Sequence, residues 1–164
     1  MTVSVNSVNI ESLEFKKFEE IAVKDFLPIL NKLKLREHLM KHELFDLRSA
    51  ENWMQSKAEV DSINGCKIRA IYFKGQLIGW CGIQYENNHY EIAIVIDDNY
   101  WGKGVRVFRE VMSWAKLFGH NKVYVHFLHT RPKYKFLQKL ANQVYETELY
   151  GHKFTTYELD VWRT

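Results

Sequence analysis

The sequence predicts an α/β domain built on a mixed β-sheet, and three of its segments carry that prediction. Two β-rich runs, Lys67–Phe73 and Gln76–Gln84, flank the turn signal Lys74-Gly75 and indicate a hairpin. Tyr90–Asp97 is a near-continuous β-branched run, typical of a strand buried on both faces. A glycine-bearing loop and an apolar helical pattern then lead into the strand-like segment Lys122–Leu128. This order predicts an antiparallel meander, followed by a strand–loop–helix–strand crossover between two parallel strands.

Composition is that of an ordinary globular domain. The chain has 164 residues, of which 46% are hydrophobic and 26% are charged, which excludes a disordered or collagen-like protein. A formal charge of +3 is too small to require a nucleic-acid partner. Two cysteines cannot build a disulfide framework, and neither a secretory signal nor a membrane-length apolar run is present. We therefore expect one domain over residues 1–164, in the cytoplasm, with no membrane association.

The remaining elements follow from periodicity and punctuation. Residues 3–10 alternate as a short strand does, and residues 13–43 have helical spacing in two pieces, with Asp25 as a cap. In the crossover helix one side is apolar and Gly119 suits the position after its end; that side comprises Val107, Phe108, Val111, Met112, Ala115 and Phe118. Thr130 is expected to cap a helix over Pro132–Ala141. Gln143–Tyr150 and Lys153–Val161 are expected to form a closing hairpin.

The loop between the long strand and the crossover helix has the composition of an anion site. N–H groups at a helix start, with the positive end of the helix dipole, suit a phosphate. Gly102 and Gly104 let a ligand approach the backbone closely, and Lys103 adds positive charge. The alternative is that the two glycines only make a tight strand-to-helix turn. The loop is neither a dinucleotide fingerprint nor a P-loop, because the third glycine and the Ser/Thr are missing.

The segment Ile92–Val105, IAIVIDDNYWGKGV, together with the order of elements, resembles the GNAT superfamily of acetyl-CoA-dependent N-acetyltransferases. The resemblance covers about residues 66–161, and the N-terminal helices fit the family's variable acceptor-binding part. The family loop has the pattern Q/R-x-x-G-x-G/A. Here its central glycine is Gly104, whereas Trp101 and Arg106 depart from the first and last positions. Arg106 either reaches a phosphate or fills the space of the cofactor.

The resemblance implies acetyl-CoA as cosubstrate and an amine as acceptor, with direct transfer of the acetyl group. Backbone groups of Ile94, Val95 and Ile96 would bind the pantetheine arm. Loop amides would bind the pyrophosphate, and these belong to Trp101, Gly102, Lys103, Gly104, Val105 and Arg106. Glu91 matches a position where the family often has a carboxylate, and so is the candidate base for the acceptor ammonium. Its other interpretation is an exposed charge at a strand end.

Two positions, Leu137 and Arg106, leave other functions open. Leu137 stands where the family has the tyrosine that protonates the leaving thiolate, and Tyr134 is the substitute candidate, or else a core-edge tyrosine. The chain would then be a non-catalytic GNAT-like binding protein. A basic RNA-directed surface is the third alternative; it would comprise Lys32, Lys34, Arg36, Lys41, Arg131, Lys133, Lys135 and Lys139. His38 and His42 have a helical ligand spacing but are interpreted as part of a solvated face, so no metal site is expected. His126 either faces the active cleft or is a core-edge histidine.

Overall fold

A computed structural model describes residues 12–37, 44–129 and 134–164 of the chain. Within these ranges a mixed sheet of seven strands forms the centre: β1 (Leu13–Lys16), β2 (Lys67–Phe73), β3 (Gln76–Glu86), β4 (His89–Ile96), β5 (Lys122–Leu128), β6 (Ala141–Leu149) and β7 (His152–Asp160). They lie in the order β1-β2-β3-β4-β5-β7-β6. The helices are α1 (Val23–Glu37), α2 (Leu47–Asp61), α3 (Gly104–Phe118) and α4 (Lys135–Leu140), with 3-10 turns at Phe18–Glu20, Asp98–Lys103 and Val161–Arg163.

Helices cover both faces of the sheet. On one face α3 buries Val107 and Val111 in a cluster that includes strand residues such as Ile92. On the other face α1 and α2 bury Phe26 and Ala50 against strands β2 to β4. Among the described helices, none has the length and apolar character that a membrane span needs.

The predicted sheet connections are confirmed. Lys74 and Gly75 both have positive φ, as a tight turn between β2 and β3 requires. Strands β2, β3 and β4 form an antiparallel meander. The crossover through α3 joins β4 to a parallel β5, and α3 ends at Gly119 in the left-handed conformation. The C-terminal strands β6 and β7 form the expected hairpin.

The expectation of helix from residue 13 was wrong at its start. Leu13–Lys16 is strand β1, paired antiparallel with β2. The helical spacing of Phe15 and Phe18 is misleading, because the two rings lie on opposite faces of the sheet. Phe15 packs on Trp114 of α3, whereas Phe18 belongs to the cluster under α1 and α2.

Other boundaries also differ from the expectation. Helix α1 begins at Val23, so Asp25 lies in its first turn and is not its cap. Helix α2 was not predicted; it begins at a capping box in which Asp46 accepts a hydrogen bond from the Ser49 amide. Phe118 is exposed instead of buried, and Ala141 begins β6 instead of ending a helix. Several expectations lie outside the described residues, namely those for residues 3–10, His38, Lys41, His42, Thr130, Arg131, Pro132 and Lys133.

Candidate active site

An open-sided gap divides the middle of the sheet between β4 and β5. Within the described chain these parallel strands are joined by one register pair, Glu91 with Tyr124. Beyond it, β4 continues to pair with β3 as far as Ile96, and β5 continues to pair with β7 as far as Leu128. The two strands therefore part toward their C-terminal ends, which is the edge where open α/β sheets bind ligands.

Successive residues of β4 direct their backbone N–H and C=O groups alternately toward β3 and toward the gap. The Asp97 amide donates to the Ile78 carbonyl of β3 at 2.8 Å. Because the direction alternates, the backbone groups of Val95, two residues earlier, also face β3. The groups of Ile94 and Ile96 consequently face the gap. The Ile96 carbonyl accepts a hydrogen bond from Trp101 Nε1 at 3.1 Å. Of the three residues expected to hold pantetheine, two thus present their backbone to the gap and Val95 does not.

The glycine loop lies at the mouth of this gap, where a 3-10 turn runs into α3. Asp97 caps that turn by accepting from the Asn99 amide at 3.1 Å. Neither Gly102 nor Gly104 has a positive φ, and a Cβ atom added to either would meet no atom within 4 Å. The Gly104 amide donates to the Trp101 carbonyl, which leaves the amides that follow as candidate anion donors. The turn itself gives no reason for glycine at these two positions.

The charged side chains around the loop have different surroundings. Arg106 is exposed on the first turn of α3, so it does not lie buried in the gap. Lys103 places its ammonium over the Phe73 ring, 4.3 Å from the centroid. Lys32 of α1 forms an ion pair with Asp97 at 2.8 Å. Burial raises the pKa of Asp97, but the Lys32 ammonium and the Asn99 amide hold it below its ordinary value.

Glu91 lies at the closed end of the gap, buried beside two histidines. Its Oε1 atom is 3.2 Å from His126 Nε2 and 3.4 Å from His89 Nε2, and Asn87 Nδ2 is also 3.4 Å away. Burial raises the pKa of Glu91, while His126, with Asn87 and His89, lowers it below its ordinary value. The carboxyl is therefore held as a carboxylate, and it is not the exposed strand-end charge of the alternative interpretation.

The buried Thr156 hydroxyl and the half-buried Tyr124 ring contact the two histidines. His126 Nδ1 lies 2.7 Å from Thr156 Oγ1, which is itself 2.7 Å from Thr147 Oγ1. The His89 ring packs against the Tyr124 ring at 4.1 Å between centroids. The Tyr124 hydroxyl donates to Glu158, and burial together with that carboxylate raises the pKa of Tyr124 to about 12.

Tyr134 is not part of this cluster. It precedes α4, and its ring packs on Phe127 at 4.8 Å. Successive residues of a strand face opposite sides, so Phe127 points away from the face to which His126 turns. Leu137, at the position of the family tyrosine, is 6% exposed and belongs to the core. Lys135 and Lys139, from the expected basic surface, are exposed on α4.

The sequence predicts Glu91 as a site residue, but its pattern does not connect Glu91 with His89 and His126. The signal was weak because these residues lie on two strands whose register the sequence does not give. The alternation in His89-Tyr90-Glu91 places two polar side chains on one face of β4. Combined with a parallel β5, that pattern is what identifies the cluster.

A comparison with protein-family models identifies the family to which this chain belongs. Residues 13–131 match the family model described as an acetyltransferase (GNAT) domain. The chain therefore belongs to the GNAT family of acetyltransferases. Comparison with curated protein sequences gives no match.

Solved structures show the same fold at low sequence identity. An acetyltransferase from Salmonella typhimurium that modifies the N-terminal serine of ribosomal protein L7/L12 aligns with a TM-score of 0.69 at 14% identity, over 91% of this chain and 95% of that one. The N-acetyltransferase PseH from Campylobacter jejuni, in complex with acetyl coenzyme A, aligns with a TM-score of 0.59 at 15% identity, over 91% and 99%. An N-acetyltransferase from Staphylococcus aureus Mu50 aligns at 0.66 and 16% identity, over 92% and 98%.

Proposed function

We propose that this chain is an N-acetyltransferase that transfers the acetyl group of acetyl-CoA to a primary amine. The observation that carries the proposal is the gap between β4 and β5, which opens onto a loop whose two glycines the fold does not need. Neither Gly102 nor Gly104 has a positive φ or a crowding neighbour. Close approach of a ligand to the backbone is the remaining physical reason for a glycine there. Family membership, and a structural neighbour that holds acetyl coenzyme A, support this assignment.

In this proposal the cosubstrate lies along the gap. The backbone groups of Ile94 and Ile96 that face the gap bind the amides of the pantetheine arm, as an adjacent strand would. The pyrophosphate is bound by amides of the first turn of α3, with the help of the helix dipole. The exposed Arg106 adds a cation on that turn.

Direct attack of the amine on the thioester is the mechanism that the side chains favour. Covalent transfer through the protein would need a nucleophile such as a thiolate. Burial raises the pKa of both cysteines of the chain, Cys66 and Cys81, and Cys81 has no exposed surface. Both thiols are therefore held in the protonated, unreactive form.

Two free, buried cysteines also fit a reducing compartment, and we place the protein in the cytoplasm.

The reaction moves protons, and it therefore needs a base for the acceptor ammonium and an acid for the leaving thiolate. The ammonium first loses one proton to a base, and the neutral amine then forms a bond to the acetyl carbonyl carbon. The resulting tetrahedral intermediate loses a second nitrogen proton as its carbon–sulfur bond breaks. Glu91 is the proposed acceptor of the ammonium proton, directly or through a water. The tetrahedral intermediate expels the CoA thiolate, and Tyr134 is the proposed donor of the thiolate's proton; the second nitrogen proton restores the Tyr134 hydroxyl through solvent.

The direct test is a binding and turnover experiment on the full chain. Isothermal titration with acetyl-CoA and with CoA should give saturable binding of both. A panel of small amines, peptides and aminoacyl-RNA, followed by mass spectrometry, should give acetylation of at least one primary amine. Binding without any transfer would overturn the catalytic role in favour of a non-catalytic GNAT domain. Absence of CoA binding would overturn the assignment of the gap.

A further inference from the structure

We propose that His89, Glu91 and His126 form a binding site for a divalent transition-metal ion, Zn²⁺ in the first place, at the closed end of the gap. Their ligand atoms are His89 Nε2, Glu91 Oε1 and His126 Nε2, and these three atoms lie within 4.8 Å of one another. This proposal replaces the expectation, from sequence, of a chain without a metal site.

The three distances fit a tetrahedral ion better than a hydrogen-bonded cluster. They are 3.2, 3.4 and 3.4 Å. Charge-assisted hydrogen bonds between nitrogen and a carboxylate are shorter, at about 2.7–2.9 Å. Zinc bonds of 2.0–2.1 Å in a tetrahedral site separate neighbouring ligands by about 3.3 Å. Octahedral ions with bonds of about 2.1 Å would separate them by about 3.0 Å. The triangle thus has the dimensions of one face of a zinc tetrahedron, with the fourth position left for water.

The surroundings prepare the ligands for a metal. When a metal replaces the proton on His126 Nε2, the remaining ring proton lies on Nδ1, which can donate to Thr156 Oγ1 at 2.7 Å, while the Thr156 hydroxyl donates to Thr147. In this tautomer the lone pair of Nε2 points into the space that the three residues share. Such a partner on the distal nitrogen is the usual support of a metal-binding histidine. One carboxylate and two imidazoles also give a donor set that Zn²⁺ prefers.

Burial separates this site from the scattered acidic groups of a protein surface. The side chains of Glu91 and His126 are 11% and 9% exposed, while that of His89 is 27% exposed and gives the site its access to solvent. A metal on Glu91 would occupy the carboxylate that receives the acceptor's proton. We therefore infer that Zn²⁺ inhibits acetyl transfer. This inhibitory part rests on the proposed function, whereas the binding part does not.

Binding is tested on the full chain after treatment with a chelator. Titration with Co²⁺ should give one equivalent of bound metal with the intense visible bands of a tetrahedral site, and Zn²⁺ should displace it. His89→Ala and His126→Ala should abolish these bands, whereas His129→Ala, which removes a histidine outside the cluster, should keep them. Thr156→Val keeps all three ligands and should weaken the affinity about 10–100-fold. Circular dichroism identifies any variant that fails to fold, and Thr156→Val then decides alone.

Each result has one meaning. No stoichiometric binding, a weak octahedral spectrum, or equal affinity of wild type and Thr156→Val would overturn the metal site. If Zn²⁺ binds and acetyl transfer continues at the same rate, the metal site stands and the role of Glu91 as base fails. If Zn²⁺ does not bind while Glu91→Gln loses activity, the metal site fails and the proposed function stands.

Discussion

Glu91 and Tyr124 are register partners, and theirs is the pairing at which β4 and β5 meet before they part. The same residue that closes the gap therefore carries the carboxylate at its inner end. This arrangement places the candidate base where the acyl end of a cosubstrate would come to rest if its pyrophosphate lay at the start of α3.

Gly104→Ala should separate ligand binding from stability. We expect the affinity for CoA to fall at least about tenfold, which is about 1.4 kcal/mol, because the methyl group would occupy the space that we propose for the pyrophosphate. The free energy of unfolding should stay equal or rise by up to about 1 kcal/mol, because alanine suits a helix better than glycine. Isothermal titration and urea unfolding measure the two quantities.

Gly119→Ala is the matched control at the other end of α3. Its φ of +81° is unfavourable for alanine, so the free energy of unfolding should fall by about 1 kcal/mol. The affinity for CoA should not change. Equal CoA affinity of wild type and Gly104→Ala would mean that the loop is only a turn.

Gly79→Ala should damage the strand that lines the gap. A Cβ atom at Gly79 would lie 2.1 Å from the Val95 carbonyl oxygen, so β3 and β4 must move apart. We expect a loss of about 1–3 kcal/mol in the free energy of unfolding, as for other overpacked sites. Gly102→Ala, which meets no neighbour, should stay within about 0.5 kcal/mol of wild type in the same urea titration. A Gly79→Ala chain as stable as wild type would contradict the close packing.

Glu91→Gln should lower the maximal rate of acetyl transfer by roughly 10²–10⁴-fold, the usual contribution of a general base. CoA affinity should not change, because this side chain lies beyond Ile94 and Ile96, whose backbone we propose as the binding site of the pantetheine arm. Steady-state kinetics with a saturating amine measure the rate. Glu110→Gln alters a carboxylate on α3, bonded to Trp114, and should keep full activity. Undiminished turnover in Glu91→Gln would remove this residue from the mechanism.

The ion pair between Lys32 and Asp97 should make stability depend on pH. The pKa of Asp97 is lower in the folded chain than in the unfolded chain, so its contribution is complete above the unfolded value. It is lost as the pH falls below about 5 and through the folded value. Lys32→Met should therefore lose less free energy of unfolding between pH 7 and acid pH than wild type does. Lys24→Met, on the same helix, should follow wild type, and identical acid sensitivity of all three chains would refute the coupling.

Leu137→Tyr tests whether the family tyrosine can be restored. The position is a closed core site, so the larger ring should cost about 1–3 kcal/mol of stability, whereas Leu137→Met should cost less than about 1.5 kcal/mol. Thermal unfolding compares the two.

Tyr134→Phe should reduce the maximal rate without affecting stability, because the hydroxyl that it removes is the proposed proton donor. Full activity of Tyr134→Phe would assign that proton to solvent.

The sequence was most informative where local pattern and topology agree. The strand at Tyr90, the glycine loop and α3 each have a local signature, and their order identified the parallel crossover. Local pattern failed where partners are distant along the chain. Phe15 and Phe18 share helical spacing but pack on opposite faces of the sheet. His89 and His126 are 37 residues apart, and only the register of β4 against β5 brings them together.

The parting of β4 from β5 makes the sheet two half-sheets joined along a seam. One half contains β1 to β4 and the other contains β5, β7 and β6. A cosubstrate that binds the backbone of Ile94 and Ile96 serves as a substitute strand that closes this seam. Its binding then raises the free energy of unfolding of the domain, by about 2.7 kcal/mol when its concentration is 100 times the dissociation constant. Amide hydrogen exchange along the seam should slow when CoA is present, so the protein becomes more rigid whenever it is ready to react.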